Sequence, residues 1–262
     1  MSVFTTMRWL LPGCLLPLLW GCVSAPETGR SQLMLIDHAE EARLGARGFE
    51  QIKRKLPRAR DRAAQARVER IGRRIARVVD LPEAQWEFVL FADDTPNAFA
   101  LPGGKVGVNT GILPITRNDA GLATVMAHEI AHVMARHSAE QRSQEMLAEI
   151  GAGVLSAVLG ARGVPNSDLA VRAYGVGAQL GVMLPYSRAH ELEADRLGLI
   201  YMARAGYDPR EAIAFWQRFE AANRGGRAPP AFLSTHPLDG ARIEQLRALL
   251  PEAEAIYARA RR

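Results

Sequence analysis

Cysteine is almost absent from this chain. There are two, Cys14 and Cys22, and none in the 240 residues that follow. Beyond Cys22 there is therefore no disulfide and no thiolate metal site, a composition that suits an oxidising compartment. Long apolar runs are also missing. Trp9 to Trp20 is interrupted by Pro12 and Pro17, and Met146 to Leu159 is only 14 residues long. A membrane-spanning helix needs about 20 apolar residues, so the second run reads as a packed core helix. No charge of one sign dominates, with 33 basic against 28 acidic residues and a formal charge of +5. The densest arginine stretch, Arg58 to Arg77, is broken by acidic and apolar residues. It reads as a solvated helix face, and no nucleic-acid partner is expected. Internal repeats and low-complexity blocks are absent too.

What is present is ordinary globular material, 48% hydrophobic and 23% charged, enough for a core of useful size. Asp37 to Leu56 and Arg60 to Val79 carry helical spacing, ended by Pro57 and Pro82. Trp86 to Phe91 alternates like a strand. Ala98 to Leu101 and Val106 to Val108 read as two short strands around Pro102-Gly103-Gly104. Asn118 or Asp119 caps a helix that runs to about His137. Asp168 to Leu184 resembles the apolar Met146 run. A helix carrying Glu191 and Asp195 follows, closed by Gly206; Asp208-Pro209 opens the next. A loop surrounds Gly225-Gly226, and Asp239 caps a last helix to Leu250. The expected class is α+β, mostly helical, with a small antiparallel sheet, organised as residues 36–262 behind a tether over 22–35.

Residues 1–21 read as a targeting segment. Arg8 is their only charge, and an apolar stretch follows it. Leu19-Trp20-Gly21-Cys22 resembles a bacterial lipobox, which implies cleavage before Cys22 and its acylation. Cys14 is a rival cysteine with almost no apolar segment ahead of it. Val23 after the cysteine implies the outer membrane, facing the periplasm.

His128-Glu129-Ile130-Ala131-His132 matches H-E-x-x-H. Residues four apart on a helix differ by about 40° around its axis, so both imidazoles leave one face and can grip one ion. Zinc suits two histidines and a carboxylate, and one Zn2+ per chain is expected. Glu129 is placed to act as general base on a metal-activated water. Leu122, Val125, Met126, Ile130 and Val133 make this helix apolar, so the pair is buried. Buried histidines with a buried glutamate need a partner.

A third ligand must come from elsewhere. His137 lies about 140° off the His132 face on a continuous helix. The long motif with a histidine at 138 and a glycine at 135 is excluded by Ser138 and Ala135. A carboxylate from a second helix remains. Glu191 and Asp195 are four apart and share a face, which fits Glu191 as ligand and Asp195 behind a histidine. Glu193 points elsewhere and is expected on the surface.

Four segments, Asn97 to Gly104, His128 to His132, Ser187 to Asp195 and Ser234 to Pro237, occur in one order along the chain. In them the sequence resembles the HtpX-like and CAAX prenyl protease family of gluzincin metallopeptidases, in its short periplasmic lipoprotein branch. The resemblance implies a zincin-like domain with Glu191 as third zinc ligand and Asp195 as a catalytic-site carboxylate. It implies a polypeptide substrate among unfolded or misassembled envelope proteins, and a place near the outer-membrane assembly machinery. It brings His236 back toward the active site as a catalytic candidate; a turn cap before Pro237 is the other reading. Arg188 either binds a substrate carbonyl or pairs with Asp195. Asn97, Gly103 and Gly104 shape either an edge strand that receives an extended peptide or a plain hairpin. Two rivals stand beside the enzyme: a chaperone-like zinc protein with gated or weak proteolysis, and a structural zinc domain with a closed site of four ligands.

Overall fold

The computed structural model describes residues 22–223, Phe232, Thr235 to Pro237 and 240–262. The targeting segment, the Gly225-Gly226 loop and the Asp239 cap lie outside the described residues.

Helix α1 (His38–Lys55) starts where the Asp37 side chain accepts a hydrogen bond from the Glu40 amide, and it buries Gly45 and Phe49. Helix α2 (Arg62–Ala76) is capped by Asp61 and buries Val68, Ile71 and Ile75, one face of a 3.6-residue repeat. Both pack on a sheet of β3 (Glu87–Phe91), β4 (Ala98–Leu101) and β5 (Lys105–Asn109). The strand order is β3-β5-β4. The sheet is mixed rather than antiparallel: β5 pairs antiparallel with β4 and parallel with β3. Strand β4 runs back along β3 without pairing to it, and the Gly103-Gly104 turn then sends β5 up between them. Alternation marks each strand but says nothing about which one enters the middle.

A short helix α3 (Leu113–Thr116) leads into α4 (Asp119–Met134), whose first turn is capped by Asn118. Helix α4 is buried on nearly every side and is the centre of the molecule. It ends earlier than expected. Arg136 takes a left-handed conformation (φ 57°), and α5 (His137–Ala161) starts in a new direction. Helix α6 (Ser167–Ala178) and a π-helical turn (Gln179–Met183) continue into α7 (Leu184–Arg204). Helices α4 and α7 lie against one another. Gly198 makes this possible, because a Cβ there would sit 3.0 Å from the His128 backbone. Helix α8 (Arg210–Asn223) follows, and α9 (Gly240–Ala260) runs on through Pro251 past the expected end at Leu250.

Two further expectations change. Residues 22–35, read as a tether, form a hairpin of β1 (Cys22–Ser24) and β2 (Ser31–Leu33). It is docked by Gln32, whose side-chain amide donates to the Ala135 carbonyl and to Glu140. The Met146 to Leu159 run is not a core helix: no described residue from Glu145 to Ala189 is buried.

Candidate metal centre

Helix α4 brings His128 and His132 to one face, as the spacing requires. Their Nε2 atoms stand 3.1 Å apart. Helix α7 brings Glu191 opposite them, 3.3 Å from His128 Nε2 and 3.4 Å from His132 Nε2. His236 closes the group with Nδ1 3.2 Å from His128 Nε2 and 3.0 Å from Glu191 Oε1. Four donor atoms thus meet within 4.8 Å of one another.

The surrounding contacts fit a bound divalent cation. His128 turns its other nitrogen to Asp195, Nδ1 to Oδ1 at 3.1 Å. His132 turns its Nδ1 to His137 Nδ1 at 2.8 Å, and His137 Nε2 meets Glu193 at 3.1 Å. One neutral tautomer set satisfies this chain: His132 Nδ1–H donates to His137, and His137 Nε2–H donates to Glu193. Both ligand candidates are then left with an Nε2 lone pair facing the centre, the arrangement metal-binding histidines adopt. Charge points the same way. Burial would raise the Glu191 pKa, yet with no ion the three imidazoles can turn N–H groups to it, and these hold it far below the usual carboxylate range. Burial would lower His128, but Asp195 and Glu191 push it up to about 9. Burial keeps His132 well below the usual imidazole value and His137 down at about 4. The carboxylates therefore ask for positive charge at this point, which a metal ion would supply to all four donors at once.

Glu129 is buried one residue along, and its Oε1 has no hydrogen-bond partner among the described residues. Burial raises its pKa. His236 Nε2 stands 3.3 Å from it. An open cleft passes this group, lined by Asn97 to Ala100 on one side and by His132, Glu191 and His236 on the other. Strand β4 is the sheet edge here, and the buried Asn97 Oδ1 also lacks a partner.

Other sequence-predicted residues are placed differently. Asp195 sits behind His128, as its spacing from Glu191 predicts, but it does not line the cleft; Arg242 grips it through two bonds of 2.6 and 2.8 Å. Arg188 is exposed, and it is Arg242 that pairs with Asp195. Gly103 and Gly104 (φ +80° and +83°) form the β4–β5 turn against Ala42 and Trp86, outside the cleft lining. Glu193 is buried rather than on the surface, bonded by Thr28, Arg30 and His137. Cys22 is the first described residue, in β1. Sequence reading missed Arg242 and the role of His137. A buried Arg242, 4.4 Å over the Trp216 ring and 2.9 Å from Glu191, lies on a helix far along the chain, and no local pattern marks it.

An α+β domain in which an H-E-x-x-H helix faces a glutamate from a second helix beside an edge strand is a zincin-like metallopeptidase fold. The model of Peptidase family M48 matches residues 62–250, and the chain belongs to that family. It is 43% identical over 179 residues to the mitochondrial metalloendopeptidase OMA1 of Saccharomyces cerevisiae, covering 66% of this chain and 49% of that protein. The Schizosaccharomyces pombe protein of the same name is 41% identical over 191 residues, 71% of this chain and 53% of the relative. The β-barrel assembly-enhancing protease of Escherichia coli K12 is 29% identical over 226 residues, 85% of this chain and 46% of the relative. The chain thus spans about half the length of these relatives.

Proposed function

We propose that this chain is a zinc metalloendopeptidase, with one zinc ion held by His128, His132 and Glu191. The observation that carries the reading is the convergence of those three side chains beside Glu129, a buried carboxylate whose Oε1 accepts no hydrogen bond among the described residues. Bound zinc lowers the pKa of a water toward about 7 and polarises a carbonyl. Glu129 takes a proton from the attacking water and delivers it to the departing amine, a task its burial-raised pKa suits. Asp195 is a positioning residue: with Arg242 behind it, it fixes the His128 ring. Strand β4 and the Asn97 side chain offer an extended peptide an edge to pair with. His236 Nδ1 joins the same group of donors and its Nε2 faces Glu129, so it would compete for a fourth position on a bound ion; this favours gated proteolysis and keeps a chaperone-like role as the second reading.

The names of the relatives support a proposed substrate class. One carries the name of a β-barrel assembly-enhancing protease, and the proposed substrates here are unfolded or misassembled envelope proteins near the outer-membrane assembly machinery. Residues 1–21 serve as a lipoprotein signal, and Cys22 as the acylated residue that anchors the domain at the periplasmic face of the outer membrane.

The test is Glu129→Gln in the full chain, with metal content and cleavage of an unfolded protein measured together. One zinc in both forms and cleavage only in the wild type is the expected result. Zinc in both with cleavage in both would remove Glu129 as the base.

A further inference from the structure

Helices α5 and α6 form a hairpin that leaves the domain beyond Glu145. Of the fourteen large apolar side chains exposed among the described residues, ten lie on this hairpin and its π-helical continuation, and an eleventh, Leu184, opens α7 directly after it. Val23 and Leu35, at its foot, are two of the other three. Leu147, Ile150, Val154 and Val158 follow one another at helical spacing along α5; Leu169, Val176 and Leu180 do so along the second arm. Leu169 is 71% exposed and Val154 60%. The arms close on one another where Tyr174 lies across Gly151, so the hairpin is a built element with an apolar outside. Four charged residues, Glu149, Arg162, Asp168 and Arg172, occur between Met146 and Leu184. A monomer in water does not expose apolar surface on this scale without a use for it.

What covers the hairpin is indicated by where the chain enters the fold. Cys22 pairs with Leu33 across the β1–β2 hairpin. Leu33 lines an apolar groove with Leu147, Tyr174, Val182 and Met183, between the hairpin arms. The segment ahead of Cys22, whose only charge is Arg8, or the acyl group that replaces it on cleavage, therefore joins the molecule at the foot of the exposed apolar surface. Whatever apolar phase receives that end of the chain also lies against the hairpin. From Met146 to Ala161, α5 is about 24 Å long, shorter than the roughly 30 Å core of a bilayer. No helix among the described residues is long and apolar enough to cross a membrane.

We propose that the α5–α6 hairpin is a membrane-docking element that lies in the interface of a lipid bilayer, with its apolar faces embedded and Arg162 and Arg172 reaching to headgroups. It fixes the orientation of the domain on the membrane. His137 begins α5, and Ser187 and His190 follow the second arm, so the cleft lies beside the hairpin's root. The orientation extends the anchor proposed at Cys22 but stands on the hairpin's own surface.

The chain has no cysteine after Cys22, so the signal of one introduced cysteine is read by subtracting a parallel sample that carries only the native Cys14 and Cys22. Full-length protein with an environment-sensitive fluorophore on Val154→Cys or Leu169→Cys is reconstituted into vesicles of phosphatidylethanolamine and phosphatidylglycerol containing a brominated lipid. Arg43→Cys, on the exposed face of α1, is the control. The expected result is a blue shift and bromine quenching at 154 and 169 and neither at 43. Ile150→Asp combined with Leu180→Asp is expected to abolish the quenching at 154 and 169 while leaving cleavage of a soluble peptide unchanged. Solvent-like emission at 154 and 169 in vesicle-bound protein overturns the proposal. So does a blue shift already present without lipid, which assigns the surface to a second copy or to this chain's own N-terminal residues. Mass spectrometry of Cys22 in the same sample keeps the two ideas apart: an acylated Cys22 with unquenched probes removes only the hairpin, and an unmodified Cys22 with quenched probes removes only the anchor.

Discussion

His236 is the residue whose position says most about regulation. Its Nδ1 sits among the four converging donors and its Nε2 faces Glu129 Oε1, so with an ion bound one imidazole would hold a ligand position and contact the proposed base. On that reading a substrate has to displace it. His236→Ala is therefore expected to keep the metal, since three ligands remain, and to cleave an unfolded protein roughly tenfold faster, which corresponds to a closed state favoured by about 1.4 kcal/mol. A tenfold loss with metal retained would instead place His236 on the side of the transition state. Glu129, His128 and His132 were legible because one spacing on one helix brings them together. His137 was not. Its angle was reckoned on a continuous helix, and the left-handed Arg136 breaks that helix and swings His137 back onto the His132 ring. Glu193 and Arg242 were misread or missed for a different reason: their partners are 163 and 47 residues away, beyond the reach of any periodicity.

At the scale of elements, the β1–β2 hairpin is tied to the metal centre by charge. Arg30 donates to Glu140 on α5 at 2.6 and 2.9 Å and to Glu193 on α7 at 2.7 Å, and Glu193 holds His137. Read along the sequence, this segment is short, polar and turn-rich, the composition of a linker. Its order comes from buried carboxylates on helices it has not yet met. Burial would raise the Glu140 pKa, but Arg30 and His190 bring it down to about 2. A depressed carboxylate stabilises the fold above its unfolded value near 4.5 and loses that contribution as pH falls toward 2. Glu140→Gln is expected to be less stable than wild type at pH 7, with the gap closing progressively below about pH 4.5. Urea unfolding midpoints across that range measure it; a gap that does not change with pH would mean the loss is one of packing rather than charge.

Across the whole molecule, the elements that supply ligands come from distant parts of the chain: α4, α7 and the segment with His236. The layout of helices around a small sheet was legible from periodicity and caps. The exposed hairpin was not, because an apolar run of 14 residues reads the same whether it faces a core or a lipid surface. The ion would therefore act as a cross-link between regions that local structure does not join, and its removal should be felt globally. A ligand at 100 times its Kd stabilises the native state by about 2.7 kcal/mol. In a chain of this size each kcal/mol moves the unfolding midpoint by about 2–4 °C. Chelation is expected to lower the midpoint by roughly 5–10 °C, restored by stoichiometric zinc. Glu191→Gln should show a smaller shift, because an amide oxygen replaces a carboxylate in the ligand set and weakens the binding. Calorimetry with and without chelator decides the matter: an unchanged midpoint in the wild type would mean that these donors hold no ion, and that Arg242 and the imidazoles alone balance the buried carboxylates.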